Sequence, residues 1–472
     1  MNLTEQQQDI VDHIQANDGL TLVNAVAGAG KTTLLVAIAN AIQSKNGLYL
    51  AYNKAIALEA KKKFPKGVHC CTTHSLAYSP VVGKQKRKPS FFNYRDITEI
   101  RSYEEKLDFI EAYRQFCLSK HTSFLDFIAD EDYPEHYGPL GNKYLGLMES
   151  FEIDYTHEFY LKYFHILLHN GLLSYDEFDL IMLDEAGDVN EVTLEIFKLL
   201  PAKKKVMVGD PYQNIYSFNH TINCFKVMAD QGTTLPMSQS FRVADHIAER
   251  IEKFGRKYID KNMRFEGIPL KDTIIESRAY IARTNTSLIS KMMELNELGI
   301  PYGLTRKASQ IFELPLLICS LKPKGFISKP DYKHLQDDVN DYYTNYNALR
   351  EEYPSLYTYI LKQHKEDTVL CNGIKLVARH GAAAIIACYN EARKHEKASQ
   401  SYMLGTAHSM KGLEADEVTI APDMNEAIID AMLHKNELKN DESLPESELT
   451  ELNLYYVACS RARKSLIGAL HL

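Results

Sequence analysis

The chain has 472 residues, of which 45% are hydrophobic and 25% charged, and its formal net charge is −8. At roughly 100–200 residues per domain this length holds about two to four domains, and the composition excludes a disordered chain, a collagen and a small disulfide scaffold. The acidic balance argues against a protein coated in positive charge. It leaves room for a motor on nucleic acid, which needs only a local basic groove.

Short apolar runs alternate with helical patterns over the first 80 residues. The runs 20–24 (LTLVN), 48–52 (LYLAY) and 68–72 (VHCCT) are predicted strands, and 31–43 and 54–64 are predicted helices. Such alternation predicts a parallel sheet with helical crossovers. The pattern returns at 180–185 (LIMLDE), 205–210 (KVMVGD), 279–283 (AYIAR), 417–421 (EVTIA) and 465–470 (SLIGAL). Two long stretches, 81–176 and 309–399, are polar and helical in pattern and read as insertions. Residues 432–451 are acidic and polar and read as an exposed loop or short helix. The longest apolar runs, such as 381–388 (GAAAIIAC), are too short for a bilayer, so no membrane contact is expected. The opening MNLTEQQQDI has no basic n-region and no apolar h-region, and the eight cysteines include no CxxC. Reduced thiols in the cytoplasm, or on the nucleoid, are the expectation. There is no Trp, so stacking on bases falls to Tyr, Phe or His.

Three strand ends carry chemistry. Ala27, Gly28, Ala29, Gly30, Lys31, Thr32 and Thr33 follow the first strand and open a helix. Small residues let backbone N–H groups close around phosphate oxygens, and the helix N-terminus adds a favourable field. In this pattern Lys31 reaches the β- and γ-phosphates and the Thr32 hydroxyl ligates Mg²⁺. Ala25 stands where the usual pattern begins with Gly. The run 180–185 ends in Asp184 and Glu185, which places Asp184 at the sheet edge beside the metal and lets Glu185 polarise the attacking water. After the next strand, Gln213 has an amide that can both donate to phosphate and accept from water.

These motifs, in this order, resemble the UvrD/Rep/PcrA family of superfamily 1 helicases. Further phrases carry the likeness: LTEQQ at 3–7, AYNKA at 51–55, TTHSL at 72–76, QSFR at 239–242, ARTN at 282–285, GTAHSMKGLE at 405–414 and YVACSRAR at 456–463. The wording of YNKAIALEAKKKFP, THSLAY and SQSFR is similar to the F-box DNA helicase branch, and no F-box is visible in the sequence. The resemblance implies an α/β fold of two RecA-like P-loop domains with parallel sheets, each with a mostly helical insertion. Its implied division is 1–80 with 177–238 as the first motor domain, 81–176 as its insertion, 239–308 with 400–472 as the second motor domain, and 309–399 as a reduced insertion.

The resemblance also implies roles. Gln7 would hold adenine, Phe241 would stack on it and Glu414 would hold the ribose. Arg242 and Arg461 would neutralise charge developing on the γ-phosphate, so that hydrolysis depends on closure of an interdomain cleft. Asn53, Thr72, His74, Arg283, Asn285 and His408 would bind DNA phosphates, and Tyr216 and Phe218 would stack on bases. Two departures stand out: Gly187 replaces the usual Gln after Asp-Glu-Ala, and Thr33 replaces an adenine-stacking Arg of some relatives. The basic run 84–88 with Phe91, Phe92 and Tyr94 behind it suits a strand-binding surface as well as a solvated loop. The implied activity is ATP- and Mg²⁺-dependent unwinding, 3′ to 5′ along single-stranded DNA, at junctions met in replication, recombination or repair. Two alternatives stay open: a translocase that strips recombinase or single-strand-binding proteins, and a motor subunit beside a separate nuclease.

Overall fold

Apolar runs bounded by Gly, Asn and Thr become the strands of two parallel sheets. The computed structural model describes residues 3–83, 88–92, 94–215, 221–327, 329, 332–396, 401–439 and 442–472. The chain divides into two units, Met1–Phe241 and Arg242–Leu472.

The first unit contains β1 (Gly19–Ala25), β2 (Gly47–Ala51), β3 (Val68–Thr72), β4 (Phe178–Leu183), β5 (Ala202–Gly209) and β6 (Thr233–Met237). They form one sheet in the order β3-β2-β4-β5-β1-β6, with every pairing parallel. β2 is buried along its whole length, as befits a strand covered on both faces by helices. From β1 the chain crosses toward β2, while from β5 it crosses the other way to β6. The adjacent carboxyl ends of β1 and β5 therefore form a topological switch point, where ligands bind in open α/β sheets. β6 escaped the sequence reading because TTLPM carries a proline, and such a strand is tolerated only at an edge.

Between β3 and β4 lie the helices Thr73–Val81, Tyr103–Leu118, Phe124–Asp130, Tyr137–Glu149 and His157–His169. Ser102, Ser123 and Thr156 cap three of them, each side chain accepting a first-turn N–H. Their core is aromatic: Phe109 meets Tyr137 edge-on at 5.3 Å and Phe116 meets Phe124 at 5.1 Å. This core runs without a break into the sheet through Ile181 and Leu183, and takes in Phe197 of the helix Glu191–Leu199. Phe92 belongs to it, packed on Phe109 and Tyr113, while Phe91 stands 79% exposed. Residues 84–87 of the basic run and the Tyr94 side chain lie outside the described residues.

The second unit contains β8 (Glu266–Ile268), β9 (Arg278–Ala282), β10 (Gly303–Leu304), β11 (Tyr402–Thr406), β12 (Ala415–Ile420) and β13 (Ala462–Ile467). β7 (Gln239–Ala244) spans the division and pairs with β8. The main sheet has the order β10-β11-β9-β12-β13 and is again wholly parallel. Helices from Glu313–Cys319 to Ala382–His395 stand between β10 and β11 and bury Leu335, Ile360, Ile374 and Ile385 in a core shared with Leu288 and Leu404. Gly381, at φ 80°, lets the chain turn 103° between Thr368–His380 and Ala382–His395. The acidic stretch 432–451 holds the end of one helix, Ile429–Glu437, and the start of another, Glu446–Cys459. Among the described residues no single helix is long and apolar enough to cross a membrane. Both units are RecA-like α/β units with parallel sheets, as the resemblance implies.

Candidate functional site

The phosphate loop leaves β1 and enters the helix Lys31–Ile42. Gly28 and Gly30 take left-handed φ values of 76° and 80°, which side chains with a Cβ rarely adopt. Gly30 is the N-cap and supplies no side-chain bond, so first-turn N–H groups remain available to an anion. The loop's carbonyls are held by its own unit. Ser240 Oγ donates to Ala27 O at 2.7 Å, Phe241 N to Gly28 O at 2.9 Å, and Gln7 Nε2 to Ala29 O at 3.2 Å.

Gln7, expected against adenine, is buried and already engaged: besides Ala29 it accepts from Thr4 N at 3.1 Å, closing the capping box of helix Glu5–Ala16. In the structure its amide therefore braces the loop. Phe241 is 48% exposed, and its ring carbons lie 3.6 and 3.7 Å from where a Cβ on Gly30 would sit. It thus presents an open aromatic face beside the loop.

The carboxyl ends of β4 and β5 converge on Lys31. Its Nζ lies 3.1 Å from Glu185 Oε2. Burial disfavours the ammonium, but the charges of Glu185, Asp184 and Asp210 outweigh that and raise its pKa above the ordinary lysine value. Glu185 sits at φ 52° and ψ 43°, a left-handed conformation that strains a residue with a side chain. Asp184 is 4% exposed; its Oδ1 accepts from Glu185 N at 2.9 Å and its Oδ2 from the Tyr49 hydroxyl at 2.6 Å. Burial and the Glu185 charge push its carboxyl above the usual range. Gln213 donates through Nε2 to Asp210 Oδ2 at 2.8 Å, and Tyr212 N donates to Oδ1 at 3.0 Å. Three carboxylates around one ammonium leave a local excess of negative charge, and hard oxygen donors on Asp184 and Thr32 fit Mg²⁺. Thr32 and Thr33 are half-buried in the first turn of the helix.

Gly187 has a steric reason. A Cβ there would come within 2.8 Å of the Asp210 carbonyl oxygen, and one on Gly209 within 2.9 Å of Ala186 N. The loops after β4 and β5 are in backbone contact, so a side chain at position 187, such as the Gln that the resemblance leads one to expect, does not fit this packing.

Of the first-unit residues expected to bind DNA, Thr72 and His74 line one cleft of ≈ 320 Å³ together with Tyr52, Asp184 and Asp188, whereas Asn53 does not line it. Two of the expected phosphate ligands spend their side-chain oxygens as helix caps. Asn53 Oδ1 accepts from Ile56 N at 3.0 Å and Thr72 Oγ1 from Ser75 N at 3.1 Å. His74 Nδ1 is bonded to the Tyr160 hydroxyl at 3.0 Å, which ties it to the helical segment. Tyr216 and Phe218 lie outside the described residues.

In the second unit Arg283 follows β9 and His408 follows the adjacent β11, with Thr406 opposite Ala282 in register. Arg283 makes a bidentate pair with Glu451, at 2.8 Å from Nε and 2.6 Å through the terminal nitrogen. Those hydrogen bonds, before any other cause, raise its pKa. The side chain expected on a phosphate is therefore already paired. Asn285 opens the next helix, and its Oδ1 is buried without a hydrogen bond. Arg242 Nε donates to Glu414 Oε2 at 2.5 Å, and Arg463 lies 3.9 Å from the other oxygen of Glu414. Arg461 is 1% exposed and donates to Val457 O at 3.0 Å and Ser460 Oγ at 3.1 Å. Sequence reasoning missed Tyr49 and Glu451. The only signal for Tyr49 was a hydroxyl inside an otherwise apolar strand, and Glu451 gave none.

A parallel sheet with a phosphate loop after β1 and an Asp-Glu pair after β4 defines a P-loop unit of the RecA-like class. Residues 7–219 match the AAA domain family. The chain is 25% identical to F-box DNA helicase 1 of Gallus gallus, an alignment covering 99% of this chain and 49% of that protein. It is 23% identical to F-box DNA helicase protein 1 of Schizosaccharomyces pombe, covering 98% of this chain and 57% of that one. These matches support a relation to superfamily 1 helicases of the F-box DNA helicase branch, and the chain spans about half the length of the two proteins.

Proposed function

We propose that the chain is an ATP-dependent DNA helicase of the superfamily 1 type, moving 3′ to 5′ on single-stranded DNA in replication, recombination or repair. The observation that carries this reading is Lys31 bonded to Glu185 at the switch point of a parallel sheet, beneath a loop with glycines at positive φ. ATP lies with its phosphates on residues 27–33 and its base against Phe241. The β- and γ-phosphates draw Lys31 away from Glu185. Released, Glu185 takes a proton from a water as that water attacks the γ-phosphorus; the bond to the ADP oxygen breaks and phosphate leaves. Thr32 and Asp184 would hold Mg²⁺, which would supply charge neutralisation to the phosphates. Gln213 orients the water, and Arg242 and Arg461 are the arginines that supply positive charge to the developing negative charge. Arg242 must first exchange Glu414 for phosphate, and Glu414 is then free for the ribose. Thr72, His74, Arg283, Asn285 and His408 grip the phosphates of the strand.

The test is strand separation on duplexes with a 3′ or a 5′ single-stranded tail. Unwinding of the 3′-tailed substrate alone is expected. Preference for the 5′ tail would reverse the polarity. DNA-stimulated ATP hydrolysis without strand separation, together with clearing of a protein-coated strand, would make the chain a stripping translocase.

A further inference from the structure

Tyr49 is a buried hydroxyl that the reaction above does not use. It sits in β2 opposite Met182 of the parallel strand β4. Side chains alternate along a strand, so Tyr49 shares a face with Met182 and, two residues on, with Asp184. The ring is fully buried and lies 4.7 Å from Phe64, centroid to centroid. Its hydroxyl donates to Asp184 Oδ2 at 2.6 Å, while the Glu185 N–H donates to Oδ1 at 2.9 Å. Each carboxylate oxygen thus holds one donor, which fixes the plane of the carboxylate. Each oxygen keeps a second lone pair for a cation or a cation-bound water.

We infer that Tyr49 is a positioning residue for the divalent cation: it orients the Asp184 carboxylate so that one face is presented to Mg²⁺ beside the nucleotide phosphates. This rests on the proposal that Asp184 and Thr32 hold Mg²⁺. The neighbours leave little else to do the job. Asp184 is 4% exposed, so bulk water does not replace a lost donor, and an unsatisfied carboxylate oxygen would turn toward whatever donor it can reach. Lys31 Nζ, held 3.1 Å from Glu185 and attracted by Asp184, is one such donor. Outer-shell partners of this kind typically govern metal affinity by about 10–100-fold.

The test uses Tyr49→Phe, which keeps the ring and its contact with Phe64 and removes one oxygen. Binding of a fluorescent ADP analogue is measured in EDTA and then over a MgCl₂ titration, and Mn²⁺ bound in the presence of ADP is counted by electron paramagnetic resonance. The expected result is wild-type analogue affinity in EDTA and a Mg²⁺ midpoint raised about 10-fold. Mn²⁺ affinity should fall in parallel. An unchanged midpoint with unchanged Mn²⁺ affinity overturns the proposal. Asp184→Asn provides the second arm: if Tyr49 acts through Asp184, adding Tyr49→Phe to it moves the Mg²⁺ midpoint no further. A further shift in the double variant shows that Tyr49 acts elsewhere and also overturns the proposal. A wild-type protein whose analogue binding ignores Mg²⁺ overturns the nucleotide reading itself, which separates the two failures.

Discussion

At Glu185 two needs meet in one residue: a carboxylate close enough to Lys31 to bond it, and a left-handed backbone that points it there. Glu185→Gln keeps the side chain's size and removes its basicity. It should retain ATP binding while lowering the hydrolysis rate about 100-fold or more, read by single-turnover kinetics; near-normal turnover would remove Glu185 as the base. Lys31→Ala should abolish hydrolysis and leave affinity for single-stranded DNA within about twofold of wild type, since Lys31 is paired with Glu185 among the carboxylates beside the loop. Gly187 makes a prediction of another kind. Gly187→Ala places a methyl 2.8 Å from the Asp210 carbonyl oxygen. The loops must separate, with a stability loss of about 1–3 kcal/mol in urea unfolding, and a neutral substitution would show that they yield freely.

At the scale of elements, the helix His157–His169 carries two buried bases. Lys162 Nζ donates to Ser119 O at 2.7 Å and His121 O at 2.5 Å, and lies over the Phe116 ring. Burial pushes its pKa down to about 7, against the attraction of Cys117, Glu191 and Glu195. His165 is pushed down to about 3, first by burial and then by the charges of Lys162, His169 and Lys198. Both groups bind fewer protons folded than unfolded. Lys162 therefore adds stability as pH rises from about 7 toward its unfolded value, and His165 loses it as pH falls from its unfolded value toward about 3. Melting temperature should climb between about pH 7 and 10, and Lys162→Met should flatten that rise. An unchanged slope would place the titration elsewhere.

The pair Arg283–Glu451 makes a second prediction at this scale, because it joins the end of β9 to the helix Glu446–Cys459. If phosphate competes with Glu451 for the guanidinium, Glu451→Gln should tighten binding of oligo-dT several-fold and steepen its salt dependence. Weaker binding would mean that Glu451 presents Arg283 to DNA instead.

What the sequence made legible is also clearest among the elements. β2 stands within a residue of its apolar run, because a strand buried on both faces is apolar at nearly every position, and the edge strand β3 coincides with its run 68–72. β6, β10 and β11 were not seen: one carries a proline, one is two residues long, and β11 reads YMLGT, with a glycine inside it. Lys31, Asp184, Glu185 and Gln213 could be grouped because each follows a strand, and parallel strands share one carboxyl edge. Partners set by sheet register or by distant helices left no local trace. Tyr49 meets Asp184 across 135 positions and Arg283 meets Glu451 across 168. Expected ligands such as Gln7, Asn53 and Thr72 proved to have capping duties that motif wording does not reveal.

For the whole molecule, with two parallel sheets in two units and likeness along 99% of the chain to an F-box DNA helicase, the proposed function is a motor whose fuel use answers to its track. The central claim is that coupling. The measurement that tests it most directly is steady-state ATP hydrolysis by the full chain, with and without saturating single-stranded DNA. Stimulation of about 10-fold or more is expected, abolished by Lys31→Ala and by Glu185→Gln. Hydrolysis at one rate with and without DNA, or surviving both substitutions, would contradict it.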